Sequence, residues 1–156
     1  MLHRPWHGFK SRHFDKGGEG LAYHVGTPGN PGGLYRQEGV PIVASTDLGG
    51  GYAVSGLKPG DWLAYTIDAG KGGWFAITTR VLPGSGESLL SLLQNRRRVL
   101  TSVELPGQSA NQPAWTNVQG KSTFYLPPGE QIVTVRLERG QFQLANFTFA
   151  TARPSP

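Results

Sequence analysis

The chain has 156 residues, 23 of them glycine and 12 proline, no cysteine, and a formal net charge of +5 at pH 7. Without cysteine there is no disulfide, no thiolate nucleophile and no thiolate metal site. No apolar run approaches the roughly 20 residues that a membrane-crossing helix needs, and the length suits one domain with a genuine core.

Residues 1–12 read as an irregular lead-in to a domain over residues 13–150, against which it can pack. Its start, Met1-Leu2-His3-Arg4-Pro5-Trp6-His7, lacks the apolar stretch of a signal peptide. His3, His7 and His13 read as a solvated tail rather than a zinc site. Strands are expected at residues 21–24, 42–45, 61–68, 74–81, 89–93, 99–105, 122–126, 131–137 and 142–150. Val133, Val135 and Leu137 alternate with Thr134, Arg136 and Glu138, which gives one apolar and one polar face. Residues 74–81 are mixed on both faces, as near the centre of a sheet. Lys58-Pro59-Gly60, Pro83-Gly84-Ser85-Gly86 and Pro127-Pro128-Gly129 mark turns between strands. Arg96-Arg97-Arg98 decorates a hairpin turn, where a solvated face is the simpler reading than a binding patch. The tail, residues 151–156, reads as a linker stub. Roughly nine short strands, no helical periodicity and no internal repeat predict an all-β, jelly-roll β-sandwich of two antiparallel sheets.

The densest information lies in residues 17–67. Three glycine-rich turns, Gly17-Gly18-Glu19-Gly20, Gly32-Gly33 and Gly49-Gly50-Gly51, alternate with Tyr23, Tyr35, Tyr52, Trp62 and Tyr65. Aromatics beside such turns sit at loop mouths, where a flat ring can meet a ligand. A pyranose presents faces of C–H groups that pack on Tyr or Trp, and hydroxyls that pair with amides and carboxylates. Taken singly, a Tyr or Trp of a β-sandwich is more often core. Tyr35 exceeds that base rate because it follows a Pro-Gly-Gly turn, whereas Trp62 and Tyr65 read as packing residues.

The ordered series Ala22-Tyr23-His24, Thr27-Pro28-Gly29-Asn30, Gly33-Leu34-Tyr35-Arg36, Gly51-Tyr52 and Gly60-Asp61-Trp62-Leu63-Ala64-Tyr65 resembles the family 6 carbohydrate-binding modules. These are β-sandwiches attached to polysaccharide-degrading enzymes. A looser match continues through Trp115, Leu126-Pro127-Pro128-Gly129 and Phe142-Gln143-Leu144-Ala145-Asn146-Phe147. The resemblance implies a sugar site in loops at the sandwich edge. Tyr35 would be one stacking ring, and Trp115 the second of two tryptophans that the family often carries, with Gln112 at the place of the first. The amide beneath them maps to Gln143, or with a shifted register to Asn146. A second family site on a concave sheet face would use Glu19, against the plain reading of a solvated turn acid. Arg36 and His24 read as structural.

The family also holds a calcium ion, through a Glu-x-Glu pattern and a last-strand acid. Those positions fall on Lys10, Arg12 and Ala145, so the site is expected to be lost, with Lys10 or Arg12 supplying the positive charge. No cofactor is expected. No nucleophile elbow appears, and none of the ten acidic residues sits in a signature context for a glycosidase pair. The expected role is therefore non-catalytic: a monomer that holds a polysaccharide or oligosaccharide for a covalently linked enzyme domain, outside the cell. The positive balance favours anionic partners, whether nucleic acid, acidic glycans or membrane surfaces; with the family resemblance beside it, the expected partner is a glycan, an acidic one included, rather than nucleic acid or a membrane. A repurposed sandwich with a degenerate sugar site, acting as scaffold or as a protein- or nucleic-acid-binding domain, remains the alternative.

Overall fold

A computed structural model describes residues 14–15, 23–25, 40, 42–47, 50–108 and 114–154, together with the backbone of residues 2–3 and 8–10. Thirteen strands and no helix occur among the described residues. In chain order they are β1 (Leu2–His3), β2 (Gly8–Lys10), β3 (Tyr23–His24), β4 (Ile42–Ala44), β5 (Tyr52–Val54), β6 (Trp62–Asp68) and β7 (Gly73–Pro83). They continue with β8 (Ser88–Gln94), β9 (Arg98–Leu105), β10 (Thr116–Gln119), β11 (Phe124–Leu126), β12 (Glu130–Arg139) and β13 (Phe142–Thr151).

The strands form two sheets. The six-stranded sheet runs β1-β6-β12-β8-β9, with β3 also on β6, and the seven-stranded sheet runs β10-β7-β13-β5-β4, with β11 on β7 and β2 on β13. Every pairing is antiparallel except that of the two-residue β1 beside β6. The longest ladder joins β7 to β13, from Phe142 opposite Pro83 to Thr151 opposite Phe75, with a bulge between Leu144 and Asn146.

Alternation builds the core. Val133, Val135 and Leu137 point inward from β12, as their spacing predicts, and Phe75, Ile77 and Val81 point inward from β7. Their rings and branches meet an aromatic column: Tyr65 of β6 meets Phe147 of β13 edge-on at 4.8 Å, and Phe124 of β11 meets Phe149 at 5.2 Å. Edge-to-face contacts set the negative ring face against a positive ring edge, which adds to the gain from burial. The buried Thr79 hydroxyl donates to the Val118 carbonyl at 2.9 Å, and Asp61 accepts from the Lys58 amide at 2.8 Å. Thr134 breaks the pattern. It lies on the outward side of β12 yet is only 1% exposed, and its hydroxyl has no hydrogen-bond partner.

Several elements differ from the expected ones. β5 and β10 were not expected: β5 is three residues between glycine-rich turns, and β10 carries a single apolar residue, Val118. Neither offers a period long enough to read. The lead-in expected to be irregular supplies β1 and β2, one to each sheet. The expected linker stub begins inside β13, whose last residue is Thr151, and the Ala152 amide donates to the Trp74 carbonyl at 2.9 Å. Trp62, expected as a packing residue, lies on the outward side of its strand and is half-buried, whereas Tyr65 is fully buried as expected.

Phe147→Ala removes the ring shared by both sheets and is expected to cost about 3–5 kcal/mol in urea unfolding, whereas Ile132→Ala, at an exposed position, costs under about 1 kcal/mol.

Candidate functional site

At one end of the seven-stranded sheet the register aligns three chains. Thr116 of β10 pairs with Val81, and Val81 pairs with Leu144 of β13. The next rung joins Leu82 to Gln143, and Trp115, one residue before β10, falls level with it. Neighbouring strands lie about 4.8 Å apart, so Trp115 and Gln143 stand roughly 10 Å apart along one rung, with Leu82 between them.

A polar network fixes the ring. The Trp115 indole N–H donates to the Thr46 hydroxyl at 3.0 Å, which ties it to the chain between β4 and β5. Beside it Asp47 accepts two hydrogen bonds from Arg80, from Nε at 2.8 Å and Nη2 at 3.0 Å. Arg80 Nη1 also donates to Asn117 Oδ1 at 3.3 Å. The hydrogen bond to Asp47 raises the Arg80 pKa, against the opposing effect of burial. The guanidinium is thus a fixed brace between the β4–β5 loop, β7 and β10.

Gln143 opens onto a cavity of about 240 Å³, also lined by Gln108, Gln141, Pro83, Gly84 and Ser55. Gln108 shapes its wall: the side-chain amide donates to the Pro83 carbonyl at 2.7 Å and the backbone amide to the Gly84 carbonyl at 2.8 Å. Gly84 is required here, because a Cβ would collide with the Gln141 carbonyl oxygen. Three glutamines offer donors and acceptors together, which suits a ligand rich in hydroxyls. No carboxylate lines the cavity among the described residues.

Of the residues expected at the site, Trp115 and Gln143 come to one rung. Tyr35, Gln112 and Glu19 lie outside the described residues, as do Arg12 and Arg36. The bulge sets the two amide candidates apart: Gln143 lines the cavity, whereas Asn146 pairs with Arg80 and with Lys10 of β2. Gln108 and Gln141 were not expected. The Gln141-x-Gln143 repeat at the start of the last strand was the available signal, since alternate residues share a face.

The same pairing brings two of the three calcium positions together. The backbone of Lys10 lies opposite Asn146, the neighbour of the buried Ala145. A lysine and an alanine side chain carry no oxygen, so these residues do not fit a calcium ion. No group of three His, Asp or Glu able to hold a metal occurs among the described residues.

Two further aromatic features lie away from the cavity. Trp74 and Tyr125, 39% and 40% exposed, form an edge-to-face pair at the far end of β7. On the other sheet the Arg96 guanidinium lies 4.6 Å from the centroid of Trp62, with His24 at 6.5 Å.

Residues 34–151 match the family described as Carbohydrate binding module (family 6). No curated protein matches the chain. Among solved structures, a module from Clostridium stercorarium in complex with cellobiose aligns with a TM-score of 0.72 at 15% identity, over 97% of this chain and 98% of that one. A β-1,3-glucan-binding module from Bacillus halodurans gives 0.72 at 17% identity, over 97% and 100%. An arabinoxylan arabinofuranohydrolase of glycoside hydrolase family 43 from Bacillus subtilis, in complex with cellotetraose, gives 0.71 at 15% identity. It is covered over 28% of its length by 97% of this chain.

Gly84→Ala is expected to lower stability by about 1–3 kcal/mol in thermal or urea unfolding, because two backbone segments must separate to admit the methyl group.

Proposed function

The chain belongs to the family 6 carbohydrate-binding modules, and from that premise we propose that its loop edge binds a polysaccharide chain through Trp115 and Gln143. The observation that carries the reading is the level placing of a braced indole and an amide-lined cavity. A sugar ring would stack on Trp115 and pass its hydroxyls to Gln143, Gln108 and Gln141. Tyr35, from the Pro-Gly-Gly turn, would supply the second ring. Cellobiose, cellotetraose and β-1,3-glucan are the sugars named for the similar structures, which supports a β-linked glucan as the first ligand to test. The module does no chemistry of its own. It raises the local concentration of substrate for an attached polysaccharide-degrading enzyme outside the cell, working as a monomer. A shallow site with one or two stacking rings implies a Kd on the order of micromolar to millimolar.

In affinity gel electrophoresis the wild type is expected to be retarded by β-glucans or xylans. Trp115→Ala and Gln143→Ala should each weaken retardation at least about tenfold, a change of about 1.4 kcal/mol. Absence of retardation across neutral and acidic glycans would contradict this reading and favour a repurposed sandwich.

The fold is also proposed to stand without calcium, on the support of the Lys10 and Ala145 positions. A chelator is expected to leave the melting temperature unchanged. A drop that added calcium reverses would overturn the proposal.

A further inference from the structure

The outward side of the seven-stranded sheet continues from the loop edge. On β7 the residues pointing away from the core are Leu82, Arg80, Thr78, Ala76 and Trp74, alternating with the buried Val81, Thr79, Ile77 and Phe75. Leu82 lines the amide-rich cavity, so that cavity opens at one end of the row, and Trp74 stands at the other. At about 3.3 Å of rise per residue the two ends lie roughly 26 Å apart. Three observations distinguish this row from an ordinary solvated strand face.

The first is its lateral register. Arg80 is level with Asn117 of β10 and Asn146 of β13, and Thr78 is level with Gln119 and Thr148. Side chains directly opposite on neighbouring strands share a face. Two rows of amides and hydroxyls therefore cross β10, β7 and β13 directly behind the rung of Trp115, Leu82 and Gln143. Among the described residues, the side chains of Thr78, Gln119, Asn146 and Thr148 make no hydrogen bond. Asn117 uses only its oxygen, on Arg80 Nη1, and keeps its amide protons for another acceptor.

The second is charge. Arg80 is the one charged side chain in these two rows, and Asp47 neutralises it through bonds of 2.8 and 3.0 Å. The Arg96-Arg97-Arg98 turn joins β8 to β9 on the other sheet. The row is thus uncharged in sum although the chain as a whole carries +5.

The third is the far end. Tyr125 of β11 is level with Trp74, and the two rings meet edge-on at 6.0 Å. Such a cross-strand pair steadies β11 on β7, yet about two-fifths of each ring is left in water, in line with the row. Between this pair and the polar rows, Ala76 lies level with Ala150, and their small side chains keep the surface low.

We propose that this face is a track for an extended, neutral β-linked glycan chain. One unit sits at Trp115 and Gln143, the following units lie over the two polar rows, and a later unit packs on the Trp74–Tyr125 pair. Amides and hydroxyls pair with sugar hydroxyls along the way, and the exposed rings take the C–H face of a pyranose. A straight row suits an extended chain, and a row without net charge has nothing to select an acid group. The inference rests on the loop-edge reading and extends it: the module grips a stretch of a long chain, and contacts after the first add to affinity without a second loss of translational freedom.

The test uses the whole chain, isotope-labelled, titrated with cellobiose, cellohexaose and a uronic-acid hexasaccharide. Amide and indole shifts locate each sugar, and calorimetry gives its affinity. Cellobiose is expected to shift Trp115 and Gln143. Cellohexaose is expected to shift Thr78, Gln119, Thr148 and the Trp74 indole as well, and to bind at least about tenfold more tightly. Trp74→Ala and Thr148→Val should each lower the ratio of cellohexaose to cellobiose affinity several-fold. Thr148→Val keeps the β-branched shape that strands favour, so its fold is expected to hold, as a thermal melt verifies. Equal affinity for the two neutral sugars, or cellohexaose shifts confined to Trp115, Gln143 and their cavity, overturns this inference while the loop-edge reading stands. Shifts along the track with none at Trp115 or Gln143 overturn the loop-edge reading and the continuity that rests on it. No shift with any of the three sugars overturns both. Tighter binding of the uronic-acid hexasaccharide than of cellohexaose overturns the assignment to a neutral chain.

Discussion

Both sheets depend on the inward aromatic column of Tyr65, Phe147, Phe149 and Phe124. With only one apolar side per strand to give, each sheet spends that side on the other sheet. What remains for recognition is the loop edge and the two outward faces. The long β7–β13 ladder carries this constraint to the site, because it sets which residues of the last strand reach the edge. The bulge at Ala145 is its decisive irregularity. It leaves Gln143 level with Leu82 and Trp115 and turns Asn146 to the rung of Arg80.

Much of the fold was legible in the chain. Glycine and proline clusters mark where strands end, and Val133, Val135 and Leu137 announce the buried side of β12. The physical reason is that a period of two is a local property and survives reading in one dimension. Short strands fail that test. Tyr52–Val54 and Thr116–Gln119 are held by their neighbours rather than by their own pattern, so nothing local reports them. Trp62 was misread for a related reason. Its strand opens on the apolar run Trp62-Leu63-Ala64-Tyr65, which hides the alternation of inward and outward residues, and an arginine from a distant turn covers the ring.

The site was legible in part. Trp115 and Gln143 could be picked out singly, but their common rung follows from the register of three strands and a bulge, none of which has a sequence signature. Gln108 was invisible because a lone glutamine after Pro106-Gly107 means nothing until its amide is seen to close on the Pro83 carbonyl. The Arg96-Arg97-Arg98 turn was read correctly as a hairpin. What the sequence concealed is that Asn95 and Arg96 both take positive φ there and that the Arg96 guanidinium packs over Trp62. Outward faces are hard to read in general, since a polar residue there is as compatible with water as with a ligand.

The central claim is that the loop edge, built around a braced Trp115 and an amide-lined cavity, holds sugar. A crystal structure grown or soaked with a β-glucan oligosaccharide tests it most directly. The account predicts a pyranose ring packed against the Trp115 indole, with hydroxyls hydrogen-bonded to Gln143. A well-ordered oligosaccharide bound elsewhere, with Trp115 and Gln143 facing only solvent, would contradict it.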